Sequence, residues 1–475
     1  MKRRLAAAAS ATKGILHGED RDFGAVSTDT RTISAGDLFV ALRGPNHDGH
    51  QFLDAAARAG AAGAMVSQPT LSPTREASIP TIVVDDTLAG LATLAHAWRS
   101  QFRIPVVGVG GSNGKTTVKE MIASILSREG PCLSTRGNLN NHIGVPLTLL
   151  RLARSHRTAV IEMGANHVGE VAALCAIARP AVGLITNAGA EHLEGFGSLE
   201  GVARGEGEMV ATLPADGTAV INADDQFSSL WQSTASARRV LTFGMRAEAD
   251  FRATDLSHAI GPGGFSLRFQ LQMAPQGGQG GRTVSVGLNL AGRHNVLNAL
   301  AAAAAAHAAG ASIDSIVHGL AAVRPVAGRL QLKQSRHGAW LVDDSYNANP
   351  GSMQAAFEVL RDLEGERWVV MGDMAELGEY GSQSHEEAGE QARSCGITRL
   401  FAIGELSALA VKSFGPGAEW FENVDALITR LDAELRAATT PLTLLTLLIK
   451  GSRMNRLERV VEALGGAVDP GHGRH

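Results

Sequence analysis

The stretch GVGGSNGKTT, residues 108–117, decides the fold class of this chain. The apolar run IPVVGV (104–109) leads into it and indicates a β-strand. The residues after it place apolar side chains at the spacing of a helix that buries one face: Val118, Met121, Ile122, Ile125 and Leu126. A strand, a glycine-rich turn and an amphipathic helix in this order are what a phosphate-binding loop requires.

The glycine spacing of this turn departs from the common nucleotide-binding pattern, which would place a glycine where Val109 stands. Glycine still lets backbone N–H groups approach phosphate oxygens, and the start of a helix adds partial positive charge. We expect Lys115 to reach terminal phosphates and the Thr116 hydroxyl to bind Mg²⁺. The alternative is a tight turn with a solvated lysine. A dinucleotide site is a weaker fit, because Asn113 stands where that motif needs glycine.

The composition excludes several classes of function. The chain has 475 residues, 44% hydrophobic and 19% charged, which is typical of a soluble globular protein. A formal net charge of −4 offers no basic surface to a nucleic-acid backbone, so we expect no nucleic-acid partner. The three cysteines form no CxxC pair, which fits a reducing compartment. The densest apolar run, LTLLTLLI, has eight residues and is too short to span a membrane.

The first residues, MKRRLAAAASATKG, imitate a signal peptide, because basic residues precede alanines. The apolar part is nearly all alanine and Lys13 follows closely, so we expect a cytoplasmic protein that is monomeric and not inserted in a membrane. Further along, short apolar runs alternate with amphipathic stretches, which predicts an α/β fold. A Pro- and Gly-containing segment (324–329) precedes a second series of strands. We therefore expect three domains, over residues 1–84, 85–324 and 325–475.

Polar side chains follow several of the predicted strands. Glu162 closes the run AVIEM, Asn187 closes GLITN, and His192 comes shortly afterwards. Ligands of open parallel sheets bind beyond the carboxyl ends of the strands, so a carboxylate and an imidazole here suit a metal beside the phosphate loop. Each residue taken alone could equally be a capping or surface group. In the last domain, the segments VDDSYNANP, MGDMAELGE and IKGSR predict a second crevice of the same kind.

These motifs together make the chain resemble the Mur ligase family. The phosphate loop has that family's form, G-x-x-G-x-N-G-K-T-T, and the resemblance spans nearly the whole chain. The supporting segments are STDTR, GDLFVALRG and DGH (within 27–50), EMGANHVGE (162–170), ITNAGAEHLEGFGSLEGVA (185–203), GRHNVLNALAA (292–302), DDSYNANPGSM (343–353) and KGSR (450–453). The resemblance implies a small α/β domain for a UDP-linked substrate, a central parallel-sheet ATPase-type domain with the phosphate loop, and a C-terminal Rossmann-like α/β domain.

The resemblance also assigns roles to individual residues. Lys115, His192 and Arg329 are expected to be catalytic. The residues expected to bind ATP are Gly111, Ser112, Asn113, Gly114, Lys115, Thr116, Thr117, Asn295, Asn298, Arg329 and Asp344. The residues expected to hold Mg²⁺ are Thr116, Glu162, His192 and Glu206. The residues expected to bind the other substrates are Thr30, Arg31, Asp48, His50, Asn347, Asn349, Lys450 and Ser452.

The implied reaction is an ATP-dependent ligation. ATP would phosphorylate the terminal carboxylate of UDP-N-acetylmuramoyl-tripeptide, and the amine of D-alanyl-D-alanine would then attack the acyl phosphate. The segments DDSYNANP and GDMAELGE favour this acceptor over the other amino acids that the family adds. The motifs leave open whether the tripeptide ends in diaminopimelate or lysine. Many relatives carry a carbamoylated lysine where Glu206 stands, and we expect Glu206 to supply that negative charge directly.

Two functions from other classes share parts of this pattern. A phosphate-loop motor or switch ATPase should have a strand that ends in aspartate, whereas Glu162 and Asn187 stand at the candidate strand ends here. A non-enzymatic UDP-sugar-binding or regulatory protein would not need Lys115, Glu162 and His192 together. Within the family, the open alternative is a ligase that adds a different amino acid.

Overall fold

The computed structural model describes residues 3–45, 47–67, 79–235, 238–261, 264–275 and 280–466. Within these ranges, the strands pair into one short sheet and three larger sheets that follow one another along the chain. Helices connect most of the parallel strands, so the predicted α/β class is confirmed. Among the described helices, none combines the length and apolarity needed to cross a membrane.

The N-terminal unit contains the first of the larger sheets. Its elements are β1 (Arg3–Arg4), α1 (Leu5–Thr12), β2 (Ile15–His17), β3 (Asp22–Phe23), β4 (Val26–Ser27), β5 (Leu38–Val40), α2 (Leu53–Arg58), β6 (Gly63–Val66), β7 (Thr81–Val83) and α3 (Thr87–Arg99). The sheet order is β2–β7–β6–β5–β4. Helix α3 joins this unit to the next one, because Thr87 donates to the Ala41 carbonyl and Trp98 to the Leu152 carbonyl.

The central unit is built on the sheet that carries the phosphate loop. Its strands are β8 (Val106–Gly110), β9 (Cys132–Ser134), β10 (Thr158–Glu162), β11 (Val182–Ile185), β12 (Thr218–Asn222), β13 (Arg239–Gly244), β14 (Phe251–Gly261), β15 (Gly264–Met273) and β16 (Arg282–Leu288). The sheet order is β16–β15–β14–β13–β12–β11–β8–β10–β9. Every residue of β8, β10 and β11 is buried, as expected for parallel strands covered on both faces.

The parallel sheet expected for this unit is extended by antiparallel strands. Strands β14, β15 and β16 pair antiparallel with one another, and β14 lies parallel to β13. Burial alternates along β15, which is typical of an antiparallel strand with one face on the core. The alternation of apolar and polar residues in FSLRFQLQ (265–272) is the sequence pattern that indicates such a strand.

The helices of the central unit pack on the sheet and on one another. They are α4 (Lys115–Leu126), α5 (Gly144–Leu149), α6 (Glu170–Ala178), α7 (Leu193–Phe196), α8 (Leu199–Ala211), α9 (Ser228–Thr234), α10 (Arg293–Ala308) and α11 (Ile313–Ala322). Helix α10 packs on α4 through small side chains, since the residues Ala301–Ala306 are at most 1% exposed. Helix α11 also lies close to α4, because a Cβ at Gly319 would come within 2.5 Å of Ile125 Cα.

The C-terminal unit has a separate, mostly parallel sheet. Its elements are β17 (Gln331–Gln334), β18 (Trp340–Asp344), α12 (Pro350–Arg361), β19 (Glu366–Gly372), α13 (Gly381–Ser394), β20 (Arg399–Ile403), α14 (Ser407–Phe414), β21 (Ala418–Phe421), α15 (Val424–Ala437), β22 (Leu445–Lys450) and α16 (Glu458–Leu464). The sheet order is β17–β18–β22–β19–β20–β21. Asp344 and Lys450 are register partners at the carboxyl ends of the neighbouring strands β18 and β22.

Candidate active site

A cavity of about 1000 Å³ lies between the central and C-terminal units. Its wall contains the phosphate-loop turn, the end of β10, the start of α10 and the segment that follows β18. The predicted site residues on this wall are Ser112, Asn113, Gly114, Lys115, Thr116, Thr117, Glu162, His192, Asn295, Asn298, Arg329, Asp344, Asn347, Asn349 and Lys450. The volume is within the range of small-molecule sites in proteins.

The turn before α4 requires glycine at two positions. Gly111 has a φ of 110° and Gly114 a φ of 85°, which other residues rarely adopt. A Cβ at Gly111 would lie 2.2 Å from Thr186 Oγ1, and a Cβ at Gly114 would lie 2.5 Å from Asn298 Oδ1. The turn therefore lies directly against β11 and α10, and its N–H groups are at a helix start that favours anions.

Lys115 lies among carboxylates. Its Nζ donates to Glu191 Oε1 at 3.1 Å and to the Gly111 carbonyl. Burial lowers the pKa of Lys115, but the charges of Glu191, Glu206 and Glu162 outweigh burial and leave the pKa above its usual value. The ammonium group therefore keeps its charge beside the cavity, where it can bind a phosphate oxygen.

Glu162 has one satisfied and one unsatisfied carboxylate oxygen. Its Oε1 accepts from Thr116 Oγ1 at 3.1 Å and from Asn140 Nδ2 at 2.9 Å. Its Oε2 is buried and has no hydrogen-bond partner among the residues that the structure describes. A buried, unpartnered carboxylate oxygen is costly unless something binds it, so this atom is a candidate ligand for a cation.

These residues fit Mg²⁺. The ion prefers oxygen ligands, and proteins usually bind it through one or two carboxylates together with substrate phosphates and water. Glu162 and the Thr116 hydroxyl offer such oxygens beside the phosphate loop. Over the described part of the chain, there is no group of three or more His, Cys, Asp or Glu residues that could hold a metal alone. A site completed by the phosphates of a nucleotide agrees with both observations.

Glu206 lies behind the phosphate loop and does not line the cavity. Its side chain is buried in α8, and its Oε2 accepts the N–H of Gly111 at 2.5 Å. Burial raises the pKa of Glu206 to about 7, against the opposing charge of Lys115, while Glu191 raises it further. The Glu206 carboxylate thus binds the backbone of the phosphate loop on the side away from the cavity. It also interacts electrostatically with Lys115.

A buried ion pair stands at the carboxyl ends of β18 and β22. Lys450 Nζ donates to Asp344 Oδ2 at 2.6 Å and to the Asn347 carbonyl at 3.0 Å. The Lys450 side chain is 3% exposed and that of Asp344 12%. Burial raises the pKa of Asp344, while Lys450 acts in the opposite direction. Asp344 Oδ1 also accepts the N–H of Leu330, which fixes the segment between the central and C-terminal units.

Asn113 is bound from both sides of the cavity. Its backbone N–H donates to Asn187 Oδ1 at 2.9 Å, and its carbonyl accepts from Asn187 Nδ2 at 3.0 Å. Its side-chain Oδ1 accepts from Asn349 Nδ2 of the C-terminal unit at 2.8 Å. Asn349 also caps α12 through the N–H of Ser352. The phosphate loop is therefore in direct contact with the start of a helix in the other unit.

Arg329 enters the cavity from the segment that links the two units. Its guanidinium lies 4.5 Å from the centre of the Tyr346 ring, an arrangement that orients the cation without neutralising it. On the opposite side, Asn298 Nδ2 donates to Asn295 Oδ1 at 3.0 Å. Beside them, burial and the charge of Lys450 lower the pKa of His294 to about 4, so this imidazole is neutral at physiological pH.

The His192 imidazole lies against a carboxylate from the other side of the cavity. Its Nδ1 lies 2.5 Å from Glu376 Oε2, in the loop that follows β19. Both residues have left-handed backbone conformations, with φ of 50° for His192 and 63° for Glu376. Non-glycine residues adopt this region infrequently, and such residues cluster at functional sites. Glu376 lines the same cavity.

The predicted residues of the N-terminal unit lie away from this cavity. Thr30 and Arg31 are in an exposed turn, where Arg31 pairs with Asp29 at 2.7 Å. Asp48 Oδ1 caps the short 3-10 helix that begins at Gly49. His50 is tied to Asp48 through Nδ1 at 2.6 Å and accepts a backbone N–H at Nε2.

Ser452 is also absent from the cavity wall, because it is buried beneath the loop that follows β19. It accepts the N–H of Ala375 at 2.8 Å and donates to the Ala348 carbonyl at 3.3 Å. Its position indicates that it shapes two loops of the C-terminal unit rather than the cavity surface.

Comparison with known proteins agrees with this architecture. Residues 22–99 match the Mur ligase family catalytic domain, residues 109–306 the Mur ligase middle domain, and residues 328–453 the Mur ligase glutamate ligase domain. The chain is 44% identical, over 95% of its length and 96% of the relative, to the UDP-N-acetylmuramoyl-tripeptide–D-alanyl-D-alanine ligase of Escherichia coli strain K12. The chain belongs to the Mur ligase family.

Solved structures of Mur ligases share the whole arrangement. A crystal structure of MurF from Acinetobacter baumannii is 34% identical, has a TM-score of 0.89, and the match covers 97% of this chain and 98% of that one. MurF ligase from Thermotoga maritima, solved in complex with ADP, is 28% identical with a TM-score of 0.77, over 92% of this chain and 96% of that one. The family and three-part α/β fold expected from the sequence are thereby confirmed.

Several residues of the site were not among the predicted ones. Asn140, Glu191, Tyr346 and Glu376 each contact a predicted residue within the cavity. Glu191 directly precedes His192, and Tyr346 lies inside the segment DDSYNANP, so both could have been predicted from their position in the sequence. Asn140 belongs to the asparagine-rich segment GNLNN (137–141), which follows no predicted strand.

Proposed function

We propose that this Mur ligase joins D-alanyl-D-alanine to the terminal carboxylate of UDP-N-acetylmuramoyl-tripeptide. The reaction consumes ATP, proceeds through an acyl phosphate, and yields the UDP-linked pentapeptide, ADP and phosphate. The substrates are those in the names of the relatives that match nearly the full length of the chain. Under this proposal, the N-terminal unit binds the UDP-linked substrate, and Thr30, Arg31, Asp48 and His50 contribute to that surface.

The observation that carries the proposal is that two units supply one cavity. The central unit contributes Lys115 and Glu162 at the phosphate loop, and the C-terminal unit contributes Arg329 and the Asp344–Lys450 pair. A site for a nucleotide alone would not need the second set. A ligation that brings a nucleotide, a carboxylate and an amine together does need both.

The chemistry of the proposed first step follows from charge. A carboxylate must attack a phosphoryl group, so two anions approach each other. Lys115 and the N–H groups of the turn lower this repulsion and stabilise the charge that develops on the transferred group. Arg329, oriented on Tyr346 and not paired with any carboxylate in the ion pairs of the described residues, adds a further positive charge.

Further roles are proposed for residues around the nucleotide. Gly111, Ser112, Asn113, Gly114 and Thr117 surround the phosphates, Asn295 and Asn298 lie beside the adenine, and Asp344 approaches the ribose. Asn347, Asn349, Lys450 and Ser452 form or support the site of the incoming dipeptide. We also propose that the chain acts as a cytoplasmic monomer whose domains comprise residues 1–84, 85–324 and 325–475.

Thr116, Glu162 and His192 would hold Mg²⁺, with Glu206 adding negative charge behind the loop. When bound, Mg²⁺ supplies charge neutralisation on the phosphates. In this chain, Glu162 supports that role through its unpartnered Oε2, and Asn140 and Thr116 fix its other oxygen.

Replacing Glu206 by glutamine separates its charge from its hydrogen bond. The amide oxygen still accepts the Gly111 N–H, whereas the negative charge is lost. We expect the Mg²⁺ concentration for half-maximal rate to rise about tenfold, as is typical when a supporting group of a metal site is changed. Glu200→Gln, on the exposed face of the same helix, is the matched control. If Glu206→Gln keeps both its rate and its Mg²⁺ requirement, Glu206 has no metal role.

The proposed function is tested by product formation with purified chain. ATP, Mg²⁺ and UDP-N-acetylmuramoyl-tripeptide are supplied with D-alanyl-D-alanine or with single amino acids, and ADP and the UDP-linked product are measured by mass spectrometry. We expect ADP and pentapeptide in equal amounts only when tripeptide and dipeptide are both present. The proposal would be contradicted if ATP were hydrolysed when the tripeptide or the dipeptide is left out. It would also be contradicted if a product formed with a single amino acid in place of the dipeptide. Parallel reactions with diaminopimelate- and lysine-containing tripeptides identify the third residue.

A further inference from the structure

The contact between His192 and Glu376 joins segments that are 184 positions apart in the chain. The Glu376 side chain is 60% exposed, and ion pairs at such positions contribute little to stability. The left-handed backbone conformations of His192 and Glu376 are therefore not explained by the stability that this contact adds. The contact also lies within the cavity, so it is placed to affect chemistry.

The loop that carries Glu376 is fixed on both sides. The N–H of Met374 donates to His385 Nε2 at 2.9 Å, and the N–H of Ala375 donates to Ser452 Oγ at 2.8 Å. His385 is fully buried and is itself anchored on the Gly381 carbonyl through Nδ1. These hydrogen bonds fix the backbone just before Glu376 within the C-terminal unit. The position of this unit against the central unit therefore determines where the Glu376 side chain lies.

On the central side, the loop comes close to the helix that follows His192. Gly378 has a φ of 55°, and a Cβ there would lie 3.2 Å from Glu194 Cγ. A side chain at position 378 would therefore meet both backbone strain and a tight contact. The approach of the two units at this point depends on the glycine two residues after Glu376.

We propose that Glu376 is a positioning residue that orients the His192 imidazole when the C-terminal unit closes on the central unit. This inference rests on the proposed function of the site. Glu376 Oε2 lies against Nδ1, so Nε2 is the ring nitrogen that remains for a ligand. In proteins, a histidine that binds a metal through one ring nitrogen usually has a carboxylate, a carbonyl or water beside the other. Closure thus completes the metal site with a group from the other unit.

The test compares Glu376→Ala and Glu376→Gln with Glu379→Gln, an exposed control in the same loop. Binding is measured with Mn²⁺ as the probe, by electron paramagnetic resonance in the presence of ADP, alongside steady-state kinetics. For Glu376→Ala, we expect Mn²⁺ affinity and kcat to fall about 10- to 100-fold, with the KM for the UDP-tripeptide within about twofold. Glu376→Gln, whose amide oxygen can still accept from Nδ1, should recover part of the loss.

Mn²⁺ binding in a His192→Ala background shows whether Glu376 acts through the imidazole. We expect Glu376→Ala to have no further effect there, because the group it orients is gone. An equal loss in both backgrounds, or unaltered Mn²⁺ affinity in Glu376→Ala, would overturn the inference. If the unaltered chain forms no pentapeptide, the proposed function fails instead, and the Mn²⁺ measurements still decide the pairing of Glu376 with His192.

Discussion

Replacing Lys115 by methionine is expected to lower kcat for pentapeptide formation by about 10²- to 10³-fold, equivalent to about 3–4 kcal/mol of transition-state stabilisation. The apolar stem of the side chain is kept, while the ammonium group beside the phosphate loop is lost. The negative charges of Glu191, Glu206 and Glu162 near the loop then lack a countercharge, which makes the approach of the phosphates less favourable still. Initial rates at saturating ATP measure the effect.

Lys412→Met is the matched control, because Lys412 is exposed on α14, a helix of the C-terminal unit with no part in the cavity. It should retain full activity. Binding of the UDP-tripeptide to Lys115→Met, measured by calorimetry, should also be unchanged, since that substrate is assigned to the N-terminal unit. A Lys115→Met chain with more than about a tenth of normal kcat would contradict the assigned role of the ammonium group.

Replacing Lys450 by methionine should have the largest effect on stability. The change leaves the Asp344 carboxylate buried without its partner, and breaking a buried ion pair in this way typically costs about 3–5 kcal/mol. Burial already raises the pKa of Asp344, and loss of Lys450 raises it further. The folded variant therefore holds a proton at Asp344 more tightly than the unfolded chain, so the destabilisation is smallest below about pH 4, the ordinary carboxyl pKa, and grows as the pH rises above it.

Denaturant unfolding of the C-terminal unit, followed by tryptophan fluorescence, measures this loss. The double variant Asp344→Asn, Lys450→Met should regain much of the stability, because the uncompensated charge is gone. Lys333→Met is the control within the same sheet: its partner Asp343 is also bound by Ser345, and Lys333 is 36% exposed. Its loss should be the smaller of the two, because the N–H and the hydroxyl of Ser345 still bind the Asp343 carboxylate. Equal losses for Lys333→Met and Lys450→Met would show that burial of the pair is not what matters.

Local sequence was sufficient to predict much of the fold and part of the cavity wall. The phosphate loop lies between its own strand and helix, so the spacing around Lys115 already fixes where the turn must be. Glu162 was found because a parallel sheet collects the carboxyl ends of its strands at one edge. The same rule led to Asp344 and Lys450, whose strands β18 and β22 are neighbours.

Contacts made by loops from distant segments could not be predicted in this way. Glu376 meets His192, and Asn349 meets Asn113, only because two separately folded units lie against each other. Nothing in the spacing of either segment encodes that approach. Glu206 was assigned from its alignment with a modified lysine, whereas its contact with Gly111 depends on how α8 packs beneath the loop.

The alanine-rich stretch of α10 has a consequence for how this protein can vary. The side chains of Ala301–Ala306 are methyl groups and are at most 1% exposed, so the spacing between α10 and its neighbours leaves no room for longer side chains. Asn298, one turn earlier, owes its closeness to Gly114 to that spacing. A single longer side chain in the stretch would displace the helix, and with it Asn298 on the cavity wall. Larger residues should therefore be poorly tolerated along this stretch, although none of these alanines lines the cavity.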